Sequence, residues 1–199
     1  MYKRQALREP LENREINISR AQASLKYPSD FILIAAMNPC PCGNYGNPLK
    51  ECTCSQNEIR RYLNKISAPI LDRIDIHIEI APVKYEDLRS NENTKSSKEL
   101  KEEVSLARKI QEERYKNDKI KSNSDLSTAQ MKKYIKLSND VEKVAQLAFN
   151  KYNFSVRSFN KIIKMARTIA DLDQSPEIEQ KHILEAVRYR SLDGKYWAN

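Results

Sequence analysis

The chain has 199 residues, 40% of them hydrophobic, 31% charged and 8% aromatic, with only three glycines. Such a composition supports a core and favours helices over a sandwich or barrel. It holds no apolar stretch of bilayer length, and Met1–Gln5 lacks the apolar centre of a secretory signal, so neither a membrane protein nor a secreted one is expected. The formal charge of +8, from 35 Lys+Arg against 27 Asp+Glu, suits a polyanionic partner such as DNA, and equally a Lys-rich solvated surface.

In chain order, Ala6–Glu12 reads as the end of a helix followed by a turn. Glu15–Ser19 and Ala23–Tyr27 alternate and pair as a hairpin with Arg20, Ala21 and Gln22 at its tip. Phe31–Met37 is a continuous apolar run, the pattern of a central strand buried on both faces. A cysteine-rich loop follows, then a helix over Asn57–Ile66 carrying Arg60, Arg61 and Lys65. Ile74, Ile76, Ile78 and Ile80 alternate with Asp75, His77 and Glu79, which predicts a strand with one polar face that ends at Pro82. Residues 1–88 thus form an α/β half, and the polar, aperiodic stretch 89–97 is a linker. Residues 98–199 read as all helical, with an apolar stripe of Leu100, Val104, Ala107 and Ile110 on the first helix. Ser127, Ser138, Ser155 and Ser175 stand where N-caps belong, with Ser175-Pro176-Glu177 the clearest helix start.

Cys40, Cys42, Cys52 and Cys54 all lie within fifteen residues, as two Cys-x-Cys pairs. Without a secretory signal these are expected to be reduced, cytoplasmic thiols. Pro41, Gly43 and Gly46 supply the sharp turns of a compact knuckle, and four thiolates brought together would hold a structural Zn2+ with no open position for chemistry. A redox-active pair and four merely reduced thiols are the rival readings. Asn38, at the end of the apolar run, is placed to orient a water attacking a phosphoryl group, or simply to open a turn before Pro39. Arg73, within Leu71-Asp72-Arg73-Ile74-Asp75, reads as an arginine finger or as the partner of Asp72 or Asp75. Arg157 opens a helix whose buried stripe is Phe159, Ile162, Ile163, Ala166 and Ile169, leaving Arg157, Lys161 and Lys164 as a basic face for phosphates, for DNA or for solvent. His77 and His182 have no partner legible in the sequence and are taken as structural. No Gly-x-x-x-x-Gly-Lys-Ser/Thr string occurs, so the chain by itself is not expected to bind ATP well.

These motifs together resemble the C-terminal part of the ComM/YifB-type ATPases, in the magnesium-chelatase-like branch of the AAA+ superfamily. The likeness is carried by Ala6–Glu12, Phe31–Gly43 with its Asn-Pro-Cys-Pro-Cys-Gly, Leu71–Asp75, Ser155–Ser158, Ala166–Leu172 and Ala186–Arg190. It implies a fold of α/β followed by all-α: part of an AAA+ core with a pre-sensor-1 hairpin and cysteine knuckle, then a helical lid. It implies that Asn38 is the sensor-1 residue, Arg73 the arginine finger and Arg157 the sensor-2 arginine. In related ring helicases that hairpin faces DNA in the central pore, so Arg20 and Lys26 become the candidate DNA contacts. The family forms hexameric rings that use ATP and Mg2+, and ComM-type members drive branch migration as DNA helicases in natural transformation. The family's P-loop and magnesium-binding acidic motif would lie upstream of Met1, and Met1–Gln5 does not match what precedes Ala6 there, so a fragment is expected. Two other readings stay open: a DNA-binding module without a motor, and a regulatory subunit that donates Arg73 to a partner carrying a P-loop.

Overall fold

The computed structural model describes residues 6–20, 23–82 and 95–190. Residues 6–82 fall in one compact unit and residues 95–190 in a second. The expected linker at 89–97 lies mostly outside the described residues.

The first unit begins with helix α1 (Arg8–Asn13), which Arg14 ends in the left-handed conformation at φ 57° with its N–H bonded to the Pro10 carbonyl. Strands β1 (Glu15–Arg20) and β2 (Ala23–Pro28) form an antiparallel hairpin, in register from Glu15 opposite Pro28 to Arg20 opposite Ala23. Alternation puts Ile16, Ile18, Leu25 and Tyr27 on one face, where Ile16 pairs with Tyr27 and Ile18 with Leu25. Helix α2 (Gln56–Leu63) starts at Ser55 through a reciprocal capping box: the Glu58 N–H donates to Ser55 Oγ, and the Ser55 N–H donates to Glu58 Oε2 at 2.8 Å. It ends three residues short of the expected Ile66, in two turn bonds, Lys65 N to Tyr62 O and Ile66 N to Leu63 O. The short helix α3 (Ala68–Leu71) follows and buries Ile70 and Leu71.

The two strands expected beyond the hairpin are a correction. Among the described residues the one sheet is the hairpin, and neither 31–37 nor 74–80 joins it. Ile32 and Ile34 are 89% and 91% exposed, so the first run is extended chain and not a buried strand. A strand is interior only when neighbours cover its faces and take its backbone bonds, and a run of apolar residues supplies neither by itself. In the second run the expected alternation of faces is absent: Ile76, Ile78 and Ile80 are exposed like Asp75 and Glu79, while Ile74 and His77 are half-buried.

The second unit is helical. Helix α4 (Ser97–Tyr115) is capped by Ser96 in a second Ser/Glu box with Glu99. Its apolar stripe is buried only in the C-terminal half, at Ala107 and Tyr115; Leu100 and Val104 are exposed. A 3-10 turn (Asn123–Asp125) leads to α5 (Thr128–Tyr134), α6 (Asn139–Tyr152), α7 (Val156–Leu172) and α8 (Gln180–Arg188). Helix α7 is the axis of the core. Ile162, Ile163, Ala166, Ile169 and Ala170 are buried against Ile183, Ala186 and Val187 of α8, Val141 and Ala145 of α6, and Tyr115 of α4. Each large apolar side chain so buried contributes about 1.5–3 kcal/mol.

Ser127 and Ser155 cap α5 and α7 with side-chain bonds, and Ser138 precedes α6 without one. Ser175 caps nothing. Helix α8 starts five residues later, at Gln180, with Glu179 as N-cap. The Ser-Pro-Glu signal loses to tertiary contacts, because Arg167 takes the carbonyls of Ser175 and Pro176 and Ile178 is buried.

Candidate functional site

The structure brings the four cysteines together. Their Sγ atoms lie within 4.8 Å of one another, with Cys40–Cys42 at 3.4 Å, Cys42–Cys52 at 3.6 Å and Cys40–Cys52 at 3.7 Å. Four sulfurs about 2.3 Å from a tetrahedral zinc stand about 3.8 Å apart, close to this spacing and far from the ~2.05 Å of a disulfide. The local backbone explains the convergence. Gly43 N bonds to Cys40 O at 3.1 Å, and Gly43 adopts φ 81°, a left-handed conformation that glycine tolerates without strain. Backbone N–H groups point at the sulfurs: Tyr45 N donates to Cys40 Sγ at 3.4 Å. The N–H groups of Asn44 and Thr53 hold the Cys42 thiol well below its usual range, at about 5, because they favour the thiolate. Cys54 is pushed the other way, to about 12; burial raises it, and Cys42 and Cys40 beside it make a further negative charge unfavourable, against a lowering backbone bond at Cys42. Cys40 is fully buried and, with Ile59 and Leu63 of α2, makes a small second core against which Tyr45, Cys52, Cys54 and Tyr62 pack.

Asn38 lies two residues before Cys40 and is exposed. Its side-chain amide passes over Gly43, where a Cβ would sit 3.8 Å from the Asn38 Cγ and Nδ2. Arg73, in contrast, is enclosed, its side chain 12% exposed. Its Nε donates to the Arg8 carbonyl at 3.2 Å, one terminal nitrogen donates to the Pro69 carbonyl, and the other forms an ion pair with Glu12. The sequence offered Asp72 or Asp75 as partners; Glu12, sixty-one positions away, had no signal in the pattern. Arg157 belongs to the second unit, in the first turn of α7, where Val156, Arg157, Asn160, Lys161 and Lys164 line a shallow open depression. On the hairpin, Arg20 follows the apolar face near the tip. Lys26 lies on the opposite face, across from Asn17, and pairs with Glu15 at 3.4 Å.

Three polar features escaped the sequence reading. Asp171, fully buried, accepts from Arg114 at 2.9 Å, from Arg167 Nε at 3.0 Å and from Asn123 Nδ2 at 2.8 Å. Tyr115 OH completes the group by donating to Asn123 at 2.6 Å. The specific string Ala166–Leu172 is therefore the interior of the helical unit; the four-residue spacing of Arg167 and Asp171 on the buried face was the available signal. His182 has partners after all: its Nδ1 accepts from the Glu179 N–H at 2.9 Å, and its Nε2 lies 3.1 Å from Asp173. Arg190, also fully buried, donates to Ser158 Oγ at 3.2 Å, one residue from Arg157.

Among the described residues no helix is long and apolar enough to cross a membrane. Residues 2–88 match the family model for magnesium chelatase, subunit ChlI, and residues 94–190 the model for the C-terminal part of that subunit. The chain is 39% identical over 188 residues to competence protein ComM of Haemophilus influenzae and 38% identical over 190 residues to the uncharacterized protein YifB of Escherichia coli. Each match covers 94% of this chain and 36% of the relative. An uncharacterized protein of Mycobacterium tuberculosis is 29% identical over 88% of the chain and 35% of its own length. The chain thus spans about a third of the length of these relatives. Hairpin, knuckle and helical unit agree with part of an AAA+ core followed by a helical lid, and the chain belongs to the ComM/YifB-type, magnesium-chelatase-like family.

Proposed function

We propose that the chain is the sensor, finger and lid portion of an ATP-hydrolysing ring motor that moves DNA. The observation that carries this reading is the likeness to ComM over 94% of the chain, which takes in Asn38, Leu71–Asp75 and Ser155–Ser158 together. A competence protein handles incoming DNA, so the natural substrate is DNA during transformation. The hairpin tip with Arg20 is its contact, with Lys26 on the reverse face as a weaker one. In this reading the P-loop, the acidic magnesium ligands and the remaining sheet strands belong to the rest of such a protein. ATP and Mg2+ supply the chemistry there, and the ring is a hexamer in the cytoplasm.

The residues of this chain then divide the work. Asn38 orients the attacking water, Arg73 neutralises charge on the γ-phosphate held by a neighbouring protomer, and Arg157 closes on the phosphates from the lid. Arg73 must leave Glu12 to do so. A phosphate dianion is the stronger competitor for a guanidinium, which makes Glu12 a resting partner for the finger. The cysteine knuckle holds one structural Zn2+: the donor set, the sulfur spacing and the N–H···S bonds all suit it. The experiment is ATP turnover and ATP binding by the ring protein that carries this chain. Asn38→Ala should lower turnover by about 100-fold or more with ATP binding nearly intact. Unchanged turnover in that variant removes Asn38 from the mechanism.

A further inference from the structure

We infer that the cysteine knuckle is the positioning device for Asn38, so that metal occupancy sets where the water-orienting amide points. The inference rests on the proposed role of Asn38 but concerns the geometry that role requires.

Four observations carry it. Only Pro39 separates Asn38 from the fully buried Cys40, and a proline ring fixes φ, so displacement of Cys40 is transmitted to Asn38 with little slack. The Asn38 amide lies against Gly43, whose N–H is bonded to the Cys40 carbonyl within the same turn. The turn is fastened to α2, because Cys40 packs with Ile59 and Leu63 and that helix is locked at its start by the Ser55–Glu58 box. The apolar run that delivers Asn38 is itself exposed, with Ile32 and Ile34 open to solvent, so among the described residues the knuckle is the ordered support beside it. A metal joining Cys40 and Cys42 to Cys52 and Cys54 closes this support into one unit. Without the metal, only S–H···S and N–H···S contacts join Cys40 and Cys42 to Cys52 and Cys54, with Cys40, Cys42 and Cys52 at 3.4–3.7 Å, so the Gly43 turn is held far less firmly.

The arrangement also explains why glycine stands at 43. Its left-handed φ of 81° restricts the position, while the space above it is an ordinary contact for the asparagine amide.

The test uses the chain itself, labelled with nitrogen-15, loaded with Zn2+ and then stripped with a chelator. The readout is the side-chain amide pair of Asn38, identified by its disappearance in Asn38→Asp. The zinc form should hold one Zn2+ per chain and give two well-separated Asn38 amide shifts. Stripping should collapse them towards solvent-averaged values, and added zinc should restore them. The Asn17 pair on the hairpin should stay in place and serves as the internal control for folding. Cys52→Ser, which touches only the distal half of the knuckle, should reproduce the stripped signature at Asn38 in the presence of zinc. One bound zinc with an Asn38 pair indifferent to its removal overturns the inference and leaves the metal site standing. Failure to bind zinc at all overturns both. Neither result bears on whether Asn38 orients water, which the turnover of Asn38→Ala decides separately.

Discussion

Arg73 illustrates how a single residue changes meaning between sequence and structure. Its position before the Ile74 run suggested a finger, and the nearby aspartates suggested a local ion pair, but its described acceptors are Glu12 and the carbonyls of Arg8 and Pro69. That contact is invisible in a linear pattern because α1 and α3 are distant in the chain. It has a structural consequence apart from any catalysis. Arg73→Ala should destabilise the first unit by about 1–2 kcal/mol, since it frees two carbonyls and a carboxylate that it now satisfies, and urea unfolding of the variant checks this. In the helical unit the stakes are higher. Asp171 is the one carboxylate between Arg114 and Arg167, so Asp171→Ala leaves two guanidinium groups facing each other in the interior. A loss of about 3–5 kcal/mol is expected, read as a fall in the midpoint of denaturation. A near-neutral result would mean that water reaches the cluster.

Elements were legible where local chemistry decides them. The hairpin, the Ser127 and Ser155 caps and the buried stripe of α7 all follow from period and capping, and the structure has them. The misses share a cause. The runs 31–37 and 74–80 depend on partners elsewhere, and the Ser175 start gives way to the grip of Arg167 on two carbonyls. Helix α4 shows the balance best. Its first half is exposed, so the Ser96–Glu99 box is what holds that end. Ser96→Ala should cost about 1 kcal/mol and speed amide exchange over residues 97–103 while leaving the Tyr115 end protected. The boxes also make the helix starts acid-sensitive. Bonds from Ser96 lower the Glu99 carboxyl, and bonds from Ser55 lower Glu58. A carboxyl depressed in the folded state contributes stability that is whole above its unfolded value of about 4.3 and lost as pH falls through the folded one. Fraying of α2 and α4 should therefore set in below about pH 4, and chemical shifts of residues 56–58 and 97–99 would show it. Starts equally firm at pH 2 and pH 6 would contradict the caps.

For the whole molecule, composition predicted a helix-rich protein and motif order placed an α/β part before a helical one, as the structure has it. The sulfur cluster was foreshadowed by spacing alone, since two Cys-x-Cys pairs across a glycine-bearing loop leave the chain few ways to keep the thiols apart. The sequence reading put Asn38 and Arg73 in the α/β half and Arg157 in the helical half; in the structure Arg157 belongs to the unit built on the core around α7, and Asn38 and Arg73 belong to the other. A motor that closes a lid onto a phosphate needs its phosphate-contacting residues on different bodies, so the division suits the proposed cycle. The measurement that bears most directly on the proposed motor is ATP turnover by mixed rings of the protein that carries this chain. One protomer type would bear Arg73→Ala, the other a defective P-loop. Rings of either type alone should be inactive, with Arg73→Ala lowering turnover by roughly 1,000-fold or more while ATP still binds. Mixing them should restore hydrolysis, because Arg73 of the P-loop-defective protomer completes the site of its neighbour. Normal turnover by rings of Arg73→Ala alone would contradict the proposal that this chain supplies the finger.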